Sequence, residues 1–198
     1  MSRLYSLVDT AEARQEVKKS RFVAFAAGIE DEAAAKAFLA QHADPSANHN
    51  CWAWRIGQAH RFSDDGEPSG TAGKPILQAI HGHALDRVVV VVTRWFGGVL
   101  LGSGGLVRAY GGTAAMALRS AEKRELVAMV SGRLDCSFGD LAVLQARIGS
   151  IPGVTLHSPE FNETGSRWSI TMPLSTVGAI GPMVGDLTGG RGSLELDD

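Results

Sequence analysis

Cysteine is scarce in this chain: two among 198 residues, Cys51 and Cys136, with no CxxC-type spacing around either. That scarcity excludes a disulfide framework and gives no zinc-finger signature, so both are expected to be buried thiols. Long apolar runs are missing too. The opening MSRLYSLVDTAEAR lacks the uninterrupted apolar stretch of a signal peptide, and nothing later approaches the roughly 20 residues that span a bilayer. A soluble, cytoplasmic protein without membrane contact is expected. Charge of one sign is also lacking, the formal net charge being -2. Up to residue 125 there are 15 Lys and Arg against 13 Asp and Glu; after it there are 4 Arg, no Lys and 8 acids. Neither part resembles a basic nucleic-acid coat, so any anion binding must come from a local site.

What is present is a globular composition, 44% hydrophobic, at a length that suits one large domain or two small ones. Residues 15 to 29, QEVKKSRFVAFAAGI, alternate as a strand, with Phe22, Ala24 and Ala26 on one face. Glu30, Asp31 and Glu32 then open a helix over AAAKAFLAQ, their charges suiting its N-terminus. Residues 49 to 57 and 60 to 63 read as hairpin arms around Gly57, and the alternate Trp52 and Trp54 as core residues. PILQAIHGHAL is a helix expected to start at Pro75, with His81 and His83 partly exposed near its end. RVVVVVTRWF, with its unbroken valines, is a strand buried on both faces. LVRAYGGTAAMALRSAEKR places Leu106, Tyr110, Ala114, Ala117 and Leu118 at helical spacing. Gly111 and Gly112 inside it each cost about 1 kcal/mol against Ala, which close packing would explain. From residue 125 onward the pattern is strand (125 to 136), helix, two strands, helix, strand. This is the βαββαβ order of a ferredoxin-like fold. The domain boundary is placed near residue 125, giving domains of 1–125 and 126–198.

The chemistry concentrates in FSDDGEPSGTAGKP, residues 62 to 75. It is not a P-loop, because Pro68 stands where the first glycine is required and Pro75 where Ser or Thr should follow Gly73 and Lys74. The Gly-rich stretch Gly102, Ser103, Gly104, Gly105 lies between a strand and a helix, but Val107 replaces the third glycine of a dinucleotide fingerprint. Leu101 spoils a nucleophile elbow at Ser103, which reads instead as a helix N-cap. Asp64, Asp65 and Glu67 lack EF-hand spacing and accompanying histidines, so no metal is expected and a tight turn is the simpler account. Three cations are more informative. Lys74 and Arg108 fall in the first turns of helices, where the dipole disfavours them, and Arg94 closes the central strand. Two arrangements fit: an anion site built from helix N-termini, glycines and cations, or a buried ion network in which the three acids neutralise Lys74, Arg94 and Arg108. The two are not exclusive.

KKSRF (18 to 22), HNCWAW (49 to 54), FSDDGEPSGTAGKPIL (62 to 77) and TRWFGGVLLGSGGLVRAYGG (93 to 112) closely resemble the IMPACT/YigZ family in order and spacing. The resemblance covers nearly all of residues 16 to 120; Trp95 and Phe96 stand where a tyrosine pair is frequent. It implies an α/β (α+β) protein of two domains. The N-terminal one is like domain 2 of ribosomal protein S5, and the C-terminal ferredoxin-like one is found in bacterial members. The pairing is similar to domains IV and V of elongation factor G. The eukaryotic member regulates translation under amino-acid stress by competing for the activator of an initiation-factor kinase. No extra N-terminal domain of the kind used in that contact is visible here, so that partner is not carried over.

The resemblance makes an RNA- or ribosome-associated factor in translation the leading expectation, with structured RNA as partner. In that reading the N–H groups near Gly73 and Gly104, within the stretch Gly102 to Gly105, sit with Lys74, Arg94 and Arg108 toward RNA phosphates. Asp64, Asp65 and Glu67 hold the cations or accept from ribose hydroxyls. No catalytic residue and no cofactor is assigned. The alternatives are a metal-assisted phosphoester hydrolase and a protein-binding regulator without nucleic-acid contact.

Overall fold

Lys18 and Lys19 both take positive φ, 46° and 66°, and turn the chain back on itself, so the segment read as one strand from 15 to 29 is a hairpin. Consecutive left-handed residues match the twist of a two-residue turn, and that local conformation overrides the alternation running through it. In the computed structural model, which describes residues 3–197, the elements run β1 (Leu4–Leu7), β2 (Ala11–Val17), β3 (Ser20–Gly28), α1 (Glu32–His42), β4 (His49–Ile56), β5 (Ala59–Ser63), α2 (Gly73–Gly82), β6 (Val88–Trp95) and α3 (Ser103–Ser120). They continue with β7 (Lys123–Leu126), β8 (Met129–Ser137), α4 (Leu141–Ile148), β9 (Thr155–Leu156), β10 (Glu160–Phe161), β11 (Gly165–Pro173), α5 (Val177–Thr188) and β12 (Ser193–Leu196). The chain divides after Leu126 into two compact units, each with its own core. No helix among the described residues is long and apolar enough to cross a membrane.

The first unit is a five-stranded sheet of order β2-β3-β6-β4-β5, antiparallel at every pairing. The valine run is its centre. Val88, Val90 and Val92 face α2 and α3 together with Phe22, Ala24, Ala26, Cys51 and Ala53. Val89 joins Trp54, Ala27, Ile29 and Ala35 of α1 on the opposite face. Side chains alternate across a strand, so only a continuous apolar run can satisfy helices on both sides. Asp31 caps α1 through its Oδ1, which accepts from the Ala34 N–H at 2.8 Å. A Cβ on Gly111 would stand 3.4 Å from the Pro75 Cβ of α2 and one on Gly112 3.7 Å from Gln15 Nε2, ordinary contact distances, so close packing does not require either glycine.

The expected strand from 125 to 136 is also two strands. β7 pairs antiparallel with β1, Leu7 opposite Lys123, and so belongs to the first unit. β8 belongs to the second. There the sheet order is β10-β11-β8-β12, with β9 also on β11, which is the ferredoxin-like arrangement of a βαββαβ chain. The second edge strand is broken into β9 and β10 rather than continuous. Leu134, Trp168, Ile170 and Met172 pack beneath Leu144, Ile148, Ile180 and Val184.

Candidate functional site

The loop between β5 and α2 is built around Asp64. Its Oδ1 accepts from the Ala72 and Gly73 N–H groups at 3.0 and 2.8 Å, and its Oδ2 from Gly70 N–H at 2.8 Å. These are the donors that an external anion would have met at the start of α2; the chain supplies its own carboxylate. Asp65 (φ 42°) and Gly66 (φ 83°) make the turn itself. Gly73 is a glycine for packing: a Cβ would lie 2.6 Å from the Ser63 carbonyl oxygen, so its bareness admits backbone rather than phosphate. The helix begins at Gly73, with Pro75 third rather than first, a position that also needs no N–H. Lys74 is exposed.

Glu67 does different work. It is 9% exposed, and its Oε1 accepts from Arg94 Nη1 at 2.6 Å and from the Tyr110 hydroxyl at 2.7 Å. Arg94, itself 5% exposed, also donates from Nη2 to Ser20 Oγ at 3.3 Å and lies 5.6 and 5.4 Å from the rings of Phe22 and Phe96. Its Nε–H is buried with no acceptor. Tyr110 meets Phe22 edge-on; burial, then the neighbouring Cys51 and Glu67, raise its hydroxyl pKa well above the ordinary value. Cys51 donates to the Asp64 carbonyl at 3.0 Å, and burial pushes its thiol up to about 12. It is a buried thiol, not a nucleophile.

His49 completes the group. Its Nδ1 is 2.7 Å from the Asp65 carbonyl oxygen, which only accepts, so Nδ1 carries the proton. Nε2 is turned toward Glu67, 3.8 Å from Oε1. The Asp65 carboxylate accepts from the Asn50 N–H. The three acids therefore have three separate tasks. The expected network shrinks to the single pair Glu67–Arg94, because Lys74 and Arg108 are exposed and form no ion pair among the described residues. Nor do the acids converge as a ligand set; no group of three His, Cys, Asp or Glu suited to a metal occurs among the described residues.

Beside this group lies a cleft of about 450 Å³. Glu67, Arg94 and His49 line it on the polar side, and Phe96, Leu100 and Leu101 on the apolar side. Gly102 and Ser103 bring the start of α3 into its wall. The helix N-cap is Gly102 (φ 71°), not Ser103, which is the first helical residue. Glycine takes the left-handed conformation that the loop requires, but it has no side chain to cap with, and there is no acidic residue in the first turn. Gly104 opens to free space, while Gly105 accommodates Leu101. The loop entering α3 is pinned by Phe96 N–H donating to Asn48 Oδ1 at 2.8 Å and Gly97 N–H to Ser20 Oγ at 3.2 Å. A Cβ on Gly97 would run into the Lys19 backbone.

Of the expected residues, Arg94, Glu67, Gly102 and Ser103 meet in this cleft, whereas Lys74, Gly73, Asp64, Asp65, Gly104, Gly105 and Arg108 are not in its lining. His49, Asn48, Phe96 and Leu100 were missed as site residues, and Tyr110 was read only as a core position. The signal for His49 and Asn48 was their place at the start of β4, where His49 stands opposite Arg94 in the pairing with β6.

Every residue lining the cleft lies within residues 18–118, the region matching the Impact N-terminal domain model. The chain is 46% identical over 182 residues to the "IMPACT family member in pol 5'region" of Thermus thermophilus, covering 88% of this chain and 97% of that one. It is 37% identical over 191 residues to the "IMPACT family member YigZ" of Escherichia coli, covering 92% and 91%. A crystal structure titled only as a hypothetical protein superposes with TM-score 0.68 at 32% identity, covering 100% of this chain and 98% of the other. With matches of this extent spanning both units, the chain belongs to the IMPACT family.

Proposed function

We propose that this protein is an RNA-binding factor linked to translation, and that its first unit meets RNA phosphate at the start of α3. One observation carries the reading. Two long helices begin near the same loops; the start of α2 is closed by Asp64, and the start of α3 has no side-chain cap and lines a cleft. Exposed N–H groups at a helix start, reinforced by the dipole, bind phosphate oxygens. Arg94 supports this by bringing its guanidinium charge to the cleft wall. Exposed Arg108, in the second turn of α3, adds sequence-independent attraction. The link to translation is supported by family membership and by the resemblance of the two folds to ribosomal machinery, an argument by analogy.

The test is binding to ribosomal subunits and to a structured RNA across a salt series, beside Gly104→Asp. A carboxylate at that open position suits the helix dipole and sets a negative charge against an anion approaching the start of α3. Wild type should bind with steep salt dependence, and the variant about tenfold or more weaker with a shallower slope. Equal RNA binding by a folded Gly104→Asp protein rules out the start of α3 as the phosphate site. RNA-independent capture of a protein partner, with no RNA binding at all, replaces the reading with a protein-binding regulator.

A further inference from the structure

The cleft has three kinds of wall, and they ask for three features in one ligand. The first is an anion. Leu106 N–H is bonded to the Gly102 carbonyl at 2.9 Å, so the preceding N–H groups of Ser103, Gly104 and Gly105 are the unpaired first-turn donors. Independently, Arg94, 5% exposed, brings a largely buried guanidinium charge to the wall of the cleft. The second is a hydrogen-bond donor. Glu67 spends Oε1 on Arg94 and Tyr110 and leaves Oε2 without a bond among the described residues. In the neutral ring whose Nδ1–H donates to the Asp65 carbonyl, His49 Nε2 is a second acceptor. The third is a flat apolar face. Phe96 is 44% and Leu100 82% exposed on a rim with Leu101, an arrangement costly in water and suited to a planar ring.

We propose that the cleft takes a single unpaired ribonucleotide. Its phosphate sits on the start of α3, its 2′-hydroxyl donates toward Glu67 or His49, and its base lies against Phe96 and Leu100. The proposal rests on the RNA reading above and narrows it. The size agrees: about 450 Å³ is within the range of small-ligand pockets and admits one nucleotide, not a duplex groove. Burial agrees as well, because the polar groups are recessed behind the apolar rim. A base still paired in a helix cannot bring its ribose and phosphate there together, whereas one splayed out of a single strand can. A deoxynucleotide lacks the 2′-hydroxyl donor; inorganic phosphate lacks the flat apolar face; a nucleoside lacks the anion.

The experiment is titration calorimetry on the full chain with a ribonucleoside 5′-monophosphate, its deoxy counterpart, the nucleoside and inorganic phosphate. Single-stranded and duplex RNA are titrated in parallel. The variants are Gly104→Asp and Leu100→Ala, both at exposed positions. The monophosphate should bind about tenfold or more tighter than nucleoside or phosphate, and single strand tighter than duplex. The deoxy form should be several-fold weaker, Gly104→Asp should abolish the monophosphate signal, and Leu100→Ala should weaken it several-fold with an unchanged melting temperature. Single-stranded RNA binding that Gly104→Asp destroys, with no monophosphate binding, overturns the one-nucleotide inference and leaves the RNA reading standing. Monophosphate binding without RNA binding overturns the RNA reading. A short peptide with a free C-terminal carboxylate that binds tighter than the monophosphate overturns both.

Discussion

Glu67 Oε1 stands 2.6 Å from Arg94 Nη1, across 27 residues of sequence, and both side chains are nearly fully buried, at 4% and 6% exposure. Tyr110 from α3 closes on the same oxygen. This contact ties the acidic loop, the central strand and α3 together at the floor of the cleft. Removing either charge leaves the other without its partner in a largely buried position. Glu67→Ala or Arg94→Ala should each cost about 3–5 kcal/mol in urea denaturation, and the Glu67→Leu, Arg94→Leu double variant less than the sum of the two. Additive losses would show that the pair is not coupled. For the same reason Arg94→Ala tests stability before it tests binding.

Asp64 holds three N–H groups that would otherwise be unsatisfied. Asp64→Ala should lower stability by about 1–3 kcal/mol, and hydrogen exchange should speed up selectively at Gly70, Ala72 and Gly73. Uniform loss of protection across the first unit would mean that the loop does not open locally.

Two glycines in the same region should respond in opposite ways to alanine. Gly73→Ala places a Cβ 2.6 Å from the Ser63 carbonyl oxygen, so β5 and α2 must part and the melting temperature should fall sharply. Gly104→Ala meets nothing within 4 Å and should stabilise by up to about 1 kcal/mol through helix propensity alone. A destabilised Gly104→Ala protein would show that the start of α3 needs glycine for some other contact.

Cys51 gives a pH signature. Its folded pKa is raised from 9.0 to about 12, so the unfolded chain loses this proton first as pH rises. The stabilisation is fully present below pH 9 and drains away between about 9 and 12, with a slope of at most about 1.4 kcal/mol per pH unit for this group. Cys51→Ala should flatten that part of the profile in denaturation midpoints taken at rising pH. An unchanged slope would locate the alkaline loss elsewhere, Tyr110 being the next candidate because its pKa moves in the same direction.

Most of the architecture was legible because it follows from period and composition. The valine run named the central strand, Leu106, Tyr110, Ala114, Ala117 and Leu118 named the buried face of α3, and the strand and helix order of the second unit named its topology. The errors fall at turns. Lys18 and Lys19 are ordinary strand-compatible residues whose left-handed backbone is chosen by pairing β2 against β3. The break between β7 and β8 depends on β7 finding β1 far away in sequence, with Leu126 opposite Leu4 and Lys123 opposite Leu7. Ser103 has the chemistry of an N-cap, yet the loop's geometry gives that place to Gly102.

At the site, residue chemistry and loop boundaries determined that acids, glycines and cations would gather around residues 62–75 and 94–108. Which acid meets which cation was decided only by the fold. Asp64, Asp65 and Glu67 are close to one another in sequence and offer the same functional group. Asp64 meets the start of α2, Asp65 meets β4, and Glu67 reaches under the sheet to Arg94 and Tyr110. Local sequence cannot distinguish among them because the difference is burial, and burial is set by distant segments. The same holds for the two helix starts: an isolated chain presents both as anion sites, and only tertiary contact fills the one at Gly73 with the protein's own carboxylate while leaving the one at Gly102 open.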